Sequence, residues 1–225
     1  MYKYETHLHT SESSACGVSS GEEMARFHKS MGYTGIFVTD HFLNGNTAVP
    51  RGLPWSERIE LFCIGYENAK KVGDKIGLQV FFGWEYSDRA VEFLTYGLDK
   101  EFLLANPDLI DIDIHEYFDR VHAAGGFISH AHPFRERDYI REQRFYPEYV
   151  DAVETINLGN DLTLFDERAA EFANEYGLPG TAGSDIHNTA RFGGGGMAFY
   201  RPLRDSEDFA DCVKSGNCML LTGAE

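Results

Sequence analysis

Short apolar runs of strand length alternate with longer segments of helical pattern at least six times along the chain, which predicts an α/β fold of βα units around a parallel sheet or barrel. Two further observations make it a single domain over residues 1–225. The chain has 225 residues, 43% of them hydrophobic, enough for one sizeable core. No repeat, low-complexity tract or Pro/Ser-rich linker divides it, and the sharpest composition shift, Gly193 to Gly196, is too short to separate domains.

The elements follow in order. Tyr2 to His7 reads as a strand. Ser19 and Ser20 stand before Glu22 and Glu23 with capping-box spacing, opening a helix that runs to about Met31 and stops at Gly32. Gly35 to Thr39 is a second strand, Trp55 to about Val72 a helix, Gln79 to Gly83 a third strand and Val91 to Tyr96 a fourth. A helix from about Ile114 to Ala124 ends at Gly125 and Gly126, and the strand Phe127 to Ser129 follows. Then come a strand from Ala152 to Ile156, a helix from about Phe165 to Tyr176 stopped by Gly177, a short strand near Gly180 to Gly183, and a late helix from Ser206 to about Lys214. The Gly193 to Gly196 run reads as a flexible loop.

Composition narrows the function classes. Against 36 Asp and Glu stand 20 Lys and Arg, a formal charge of −16, so polyanions and anionic lipid surfaces are repelled and nucleic acid is an unlikely partner. No run approaches the roughly 18 to 20 apolar residues of a membrane span, and the first residues carry no apolar signal core. A soluble, cytoplasmic protein is expected. Cys16, Cys63, Cys212 and Cys218 show no CxxC spacing, so reduced thiols are expected.

Five of the strand-like segments finish in residues that bind metals: His7-Leu-His9, Asp40-His41, Glu85, His130-Ala-His132, and Asp185-Ile-His187. In βα barrels the C-terminal strand ends converge on one face, which would aim these groups at a common pocket. One His-x-His pair among nine histidines is unremarkable; five such segments, each after an apolar run, are not. An extended strand puts i and i+2 on one side, so His7 and His9 can share an ion, as can Asp185 and His187. Mixed imidazole and carboxylate suit Zn, Mn or Fe better than Mg or Ca, and a carboxylate such as Glu85 can bridge two ions. With six to eight candidate ligands, the site has capacity for more than one metal. His28, His115 and His122 fall within or at the start of helices and receive no chemistry.

At these residues the sequence resembles the PHP (polymerase and histidinol phosphatase) domain family. The matching motifs are His7-x-His9, Thr39-Asp40-His41, Gly83-Trp-Glu85, Ala131-His132-Pro133 and Gly183-Ser-Asp185-x-His187, in family order from position 7 to 187. The resemblance implies a distorted (β/α)7 barrel with a two- or three-metal centre that hydrolyses phosphate esters. It would give one ion to His7, His9, Glu85 and Asp185, a second to Glu85 and His132, and a third to His41 and His187. Two positions depart from the pattern: Cys16 stands where relatives carry an acidic residue or His, and Glu92 where many place a His. Cys16 is a soft ligand able to complete the third site, or an inert thiol. Glu92 is an oxygen ligand or a solvated strand residue. Only His132 of the pair at 130 and 132 is required by the motif.

The implied function is hydrolysis of a phosphomonoester of a small metabolite, histidinol phosphate being one member of that class, by metal-activated water. Asp185, His187 and Glu85 are the expected catalytic groups, with Asp185 or His187 passing a proton to the leaving alkoxide. Arg135 and Arg191, a few residues beyond ligands, are expected to bind the substrate phosphate. Loops Phe42 to Pro54 and Arg135 to Pro147 would set specificity, with Trp55, Phe134 and Tyr139 at the mouth or packed in the core. The alternatives are a polymerase-associated type of nuclease, opposed by the charge; a non-catalytic metal-binding module; and metal-dependent amide hydrolysis. Oligomeric state is left open.

Overall fold

The structure is a computed structural model and describes residues 1–191 and 193–223. Nine strands and six α-helices occur among them: β1 (Tyr2–Glu5), α1 (Gly21–Ser30), β2 (Gly35–Val38), α2 (Trp55–Ile76), β3 (Gln79–Asp88), β4 (Val91–Tyr96), α3 (Lys100–Ala105), α4 (Ile114–Ala123), β5 (Phe127–His130), β6 (Ala152–Asn157), α5 (Thr163–Tyr176), β7 (Gly180–Gly183), β8 (Gly195–Phe199), α6 (Ser206–Lys214) and β9 (Cys218–Thr222). None of these helices is long and apolar enough to cross a membrane. All four cysteines are free.

The strands form one sheet in the order β7-β6-β5-β4-β3-β2-β1-β8-β9. Its two sides meet where Leu8 pairs in parallel with Ile186, through His9 N–H to the Ile186 carbonyl at 2.9 Å and Ile186 N–H to the His7 carbonyl at 3.3 Å. Strands β1 to β7 thus make a seven-stranded barrel, and the β8–β9 hairpin lies antiparallel against β1. This is the distorted α/β barrel expected. It is not uniformly parallel, because β3 runs on to Asp88 and returns as β4 through a turn at Arg89 and Ala90, both at positive φ, so β4 is antiparallel to β3 and β5.

Local chemistry explains the boundaries. Ser20 and Glu23 form the anticipated reciprocal cap on α1, and α2 and α5 end on left-handed Gly77 and Gly177. Strand β1 stops at Glu5 rather than His7 because the Glu5 carboxylate folds back and accepts the backbone N–H groups of Thr6 and His7 at 2.9 and 3.0 Å, groups a strand ladder would have used. The glycine run is not a loop throughout: Gly195 and Gly196 open β8. A Cβ at Gly196, whose φ is +110°, would lie 2.1 Å from the Tyr4 carbonyl oxygen, so only glycine lets β8 approach β1. One end of the barrel is filled by Tyr4, Phe37, Tyr96, Phe127 and Phe199, closed beneath by Phe209 of α6. The other end is polar.

Candidate metal centre

The polar end gathers side chains from five strand termini. Glu85, fully buried in β3, is the hub: its Oε1 lies 3.2 Å from His7 Nε2 and 3.1 Å from His132 Nε2, and its Oε2 lies 2.6 Å from His41 Nδ1 and 3.6 Å from His9 Nε2. Asp185 Oδ1 sits 3.2 Å from His9 Nε2 and 3.5 Å from His7 Nε2. The imidazoles of His9 and His187 stack with centroids 4.3 Å apart, and His9 and His41 are equally close. Glu92 faces the group from β4, 3.6 Å from both His41 Nδ1 and His132 Nε2. Four ligand triads result: His9, His41 and His187; His7, Glu85 and His132; His7, His9 and Asp185; His41, Glu85 and Glu92.

Outer partners decide which ring atoms face inward. His7 Nδ1 meets Glu154 Oε1 at 2.9 Å, His9 Nδ1 meets Ser14 Oγ at 3.1 Å, and His187 Nδ1 meets the Asp185 carbonyl at 2.8 Å. Ser14 donates its own proton to Asp40 Oδ1 at 2.7 Å, so it accepts from His9. Each ring therefore spends Nδ1–H outward and turns an Nε2 lone pair toward the others. His7 Nε2 and His9 Nε2 stand 3.1 Å apart, and Glu85 Oε2 and His41 Nδ1 face each other at 2.6 Å. Acceptors brought this close are stable only around cations, whether protons or metal ions. The residues present fit a multinuclear divalent centre.

The ionisation directions agree. Burial opposes charge on His7, but Glu154, Asp185 and Glu85 outweigh it and raise His7 well above the usual imidazole range; His41 is raised likewise, burial notwithstanding, chiefly by Glu85. His9, desolvated beside His41 and His187, is lowered well below it. Burial and the Glu85 charge push Glu92 up to about 7. Burial works against the Cys16 thiolate, yet hydrogen bonds with His187 and His41 bring the thiol down to about 6. Asp185 and His132 also hold left-handed backbone, φ +51° and +29°, of the kind that is retained where surrounding contacts impose it.

The structure brings His7, His9, His41, Glu85, His132, Asp185 and His187 together, with Cys16 beside His41 and His187 and Glu92 completing a triad. It does not bring His130. That ring packs on Phe93 at 4.8 Å, is fully buried, and burial pushes it down to about 3. Asp40 is not turned to the ligands either; it accepts from Thr10 N–H at 2.6 Å, Thr10 Oγ1 at 2.7 Å and Ser14 Oγ. A cavity of about 490 Å3 opens above the ligands, walled by Cys16, Glu92, His132, Asp185 and His187 and by Asn46 and Tyr139 from the two expected specificity loops. Trp55 and Phe134 lie elsewhere, the first bonded to the Leu103 carbonyl, the second against Phe145 and Phe172. Arg135 walls this cavity and an adjoining one of about 590 Å3, where exposed Arg191 also lies. Sequence reasoning missed Glu154, Asn157 and Ser14. A carboxylate in the middle of the apolar strand Ala152–Asn157 was the available signal for Glu154.

A PHP-associated family model matches residues 165–218. No curated protein sequence matches the chain. Among solved structures, the chain superposes with a TM-score of 0.70 on a two-domain protein from Bacteroides vulgatus containing a predicted PHP-like metal-dependent phosphoesterase, at 16% identity, with 99% of this chain and 65% of that one covered. A candidate metal-dependent phosphoesterase from Bifidobacterium adolescentis matches at TM-score 0.60 and 16% identity, covering 100% and 97%. A lesion-specific endonuclease from Pyrococcus furiosus matches at 0.60 and 13%, covering 97% and 57%. The chain thus spans about two thirds of the Bacteroides protein, and these likenesses establish the fold.

Proposed function

We propose that this chain, a PHP-type protein by its fold and by the match over residues 165–218, is a metal-dependent hydrolase that cleaves a phosphomonoester of a small metabolite. The observation that carries the reading is the convergence of four imidazole and carboxylate triads on Glu85 beneath a cavity of about 490 Å3. Residues His7, His9, Glu85 and Asp185 would hold one ion, Glu85, Glu92 and His132 a second, and His41, His187 and Cys16 a third, with Zn, Mn or Fe suited to the donor set. Bound there, such ions supply a water activated near neutral pH and positive charge for the phosphoryl oxygens.

The chain's own residues do the rest. The cavity would hold the ester between Tyr139 and the ligand cluster. Asp185, held ionised against burial by His7 and Arg135, has no proton to give. His187, its side chain 28% exposed and its Nδ1–H given to the Asp185 carbonyl, would protonate the departing alkoxide from Nε2 only with the third site unfilled; with that site filled the alkoxide takes its proton from solvent. Arg191, in the adjoining cavity, meets the part of the substrate beyond the scissile ester.

A cavity of this size, on a chain of charge −16, favours a metabolite over a polymer. The nuclease reading draws on the fold likeness to the Pyrococcus endonuclease and on Arg135, Arg137 and Arg191 along the second cavity. Elemental analysis of purified protein, paired with p-nitrophenyl phosphate and single-stranded DNA as substrates, separates the two. Two or three ions per chain with hydrolysis of the small ester, abolished in Asp185→Ala, is the expected result. Metal with DNA cleavage alone supports the nuclease; metal with neither activity leaves a binding module.

A further inference from the structure

Glu154, in the middle of β6, lines neither of the two cavities above and belongs to none of the four ligand triads, yet its carboxylate is fully buried and fully engaged. Its Oε1 takes His7 Nδ1 at 2.9 Å, and its Oε2 accepts the backbone N–H of His132 at 3.0 Å and Asn157 Nδ2–H at 2.7 Å. Asn157 Oδ1 in turn accepts from Arg135 Nη2 at 2.7 Å. Arg135 gives Nε–H to Asn160 Oδ1 at 2.8 Å and sets Nη1 2.7 Å from Asp185 Oδ2. Asp185 Oδ1 returns to His7 and His9. The contacts close a ring from His7 through Glu154, Asn157 and Arg135 to Asp185 and back.

We propose that Glu154, Asn157 and Arg135 form a positioning belt that holds three metal ligands, and that Arg135 serves Asp185 rather than clamping the substrate phosphate. This rests on the metal-dependent reading above. Three features of the geometry support it. The Glu154 contact places the His7 proton on Nδ1 and leaves Nε2 for an ion. Two of the three ligands that the belt grips, His132 and Asp185, have left-handed backbone, and they are held one at its N–H and one at its carboxylate. Finally, room for the carboxylate is made by Gly183 of β7, where a Cβ would lie 2.7 Å from Glu154 Oε1 and 2.4 Å from His7 Cβ. Each guanidinium nitrogen of Arg135 has a protein partner, Asn160, Asn157 or Asp185, so the cation at the cavity wall is buried and paired.

The belt makes a charge-specific demand. Glu154 meets donors on both oxygens, so in Glu154→Gln the amide NH2 faces a donor whichever way it turns, either His7 Nδ1–H or the pair from His132 and Asn157. The test is zinc affinity by competition with a chelating dye, together with the nitrogen-15 signal of the His7 Nδ1–H in the zinc-loaded protein. Glu154→Gln is expected to bind zinc about 10 to 100 times more weakly, with the His7 signal shifted, and Glu154→Asp to recover part of the loss. Asn157→Ser keeps the bonds to His7 and His132 and serves if Glu154→Gln does not fold; it is expected to lose about tenfold. Arg135→Lys should weaken zinc binding and lower kcat while leaving KM for p-nitrophenyl phosphate unchanged at saturating metal. Zinc affinity within twofold of the parent in Glu154→Gln or Asn157→Ser, or Arg135→Lys raising KM alone, would overturn the belt. Failure of the parent chain to bind zinc would overturn the belt and the metal-dependent reading together, whereas zinc binding without ester hydrolysis would remove only the phosphoesterase.

Discussion

His7-Leu-His9 and His130-Ala-His132 are the same three-residue pattern at the ends of two strands, yet the first sends both rings to Glu85 and the second sends one. The difference lies in the backbone. Leu8 is paired with Ile186, which keeps residues 7 to 9 extended, so i and i+2 share a side. At β5, His130 is still in register with Phe93 and turns to the aromatic layer, and His132 departs from extended geometry at φ +29°. Alternation is broken between them. Here the pair delivers two ligands where the backbone stays extended through its second histidine, held beyond the end of β1 by the single Leu8–Ile186 bridge.

The sharpest way to break the comparison is to remove each ring of the second pair. His132→Ala is expected to lose the ion it shares with Glu85 and to lower phosphoester turnover by more than about a hundredfold, beyond what loss of an outer hydrogen bond costs. His130→Phe is expected to keep full metal content by elemental analysis. Equal losses in the two variants would erase the distinction.

Next in size is the pH dependence of metal affinity. His7 and His41 are raised by neighbouring carboxylates, so at neutral pH protons occupy positions an ion would take. Affinity should climb with pH by about tenfold per unit for each proton displaced, which dye competition at several pH values between 6 and 8 would reveal. A flat profile would mean the ligands bind without releasing protons.

Stability responds in the opposite part of the chain's histidine set. Burial pushes His130 down to about 3 and His28 down to about 4, from an ordinary value of 6.5. The unfolded chain therefore binds more protons than the folded one in that window, and stability falls as pH drops from about 6.5 toward 3. His130→Phe, which removes two buried nitrogens without partners, should flatten the fall and add on the order of 1 kcal/mol, read by urea unfolding at pH 7 and pH 5. An unchanged pH slope would show that His130 does not contribute.

The smallest effect is expected at Cys16, one of the two positions that depart from the pattern the sequence resembles. Cys16→Ser should change turnover only severalfold but remove the thiolate-to-cobalt absorption of the Co(II)-substituted protein, since the thiol lies beside His41 and His187. Persistence of that band in Cys16→Ser would assign it to another thiol.

Much of this was legible in the residues. Apolar runs ending in His, Asp or Glu are local signals, and the barrel brings their ends together as βα geometry requires. The β3–β4 hairpin was less legible because its turn residues, Arg89 and Ala90, carry no glycine or asparagine to advertise positive φ. Strand β8 was hidden by Gly195 and Gly196, whose role depends on the distance to Tyr4, not on propensity. The belt was least legible, since Glu154 and Asn157 acquire meaning only when β6 is set beside β1 and β7. His130 shows the converse: a residue type that advertises metal binding, spent on packing.

The most direct test is an anomalous-scattering map from crystals grown with manganese or zinc. The account predicts two or three peaks around Glu85, within ligand distance of His7, His9, His41, His132, Asp185 and His187, and none at His130. No peak at Glu85 after reconstitution, or density confined to another site, would contradict it.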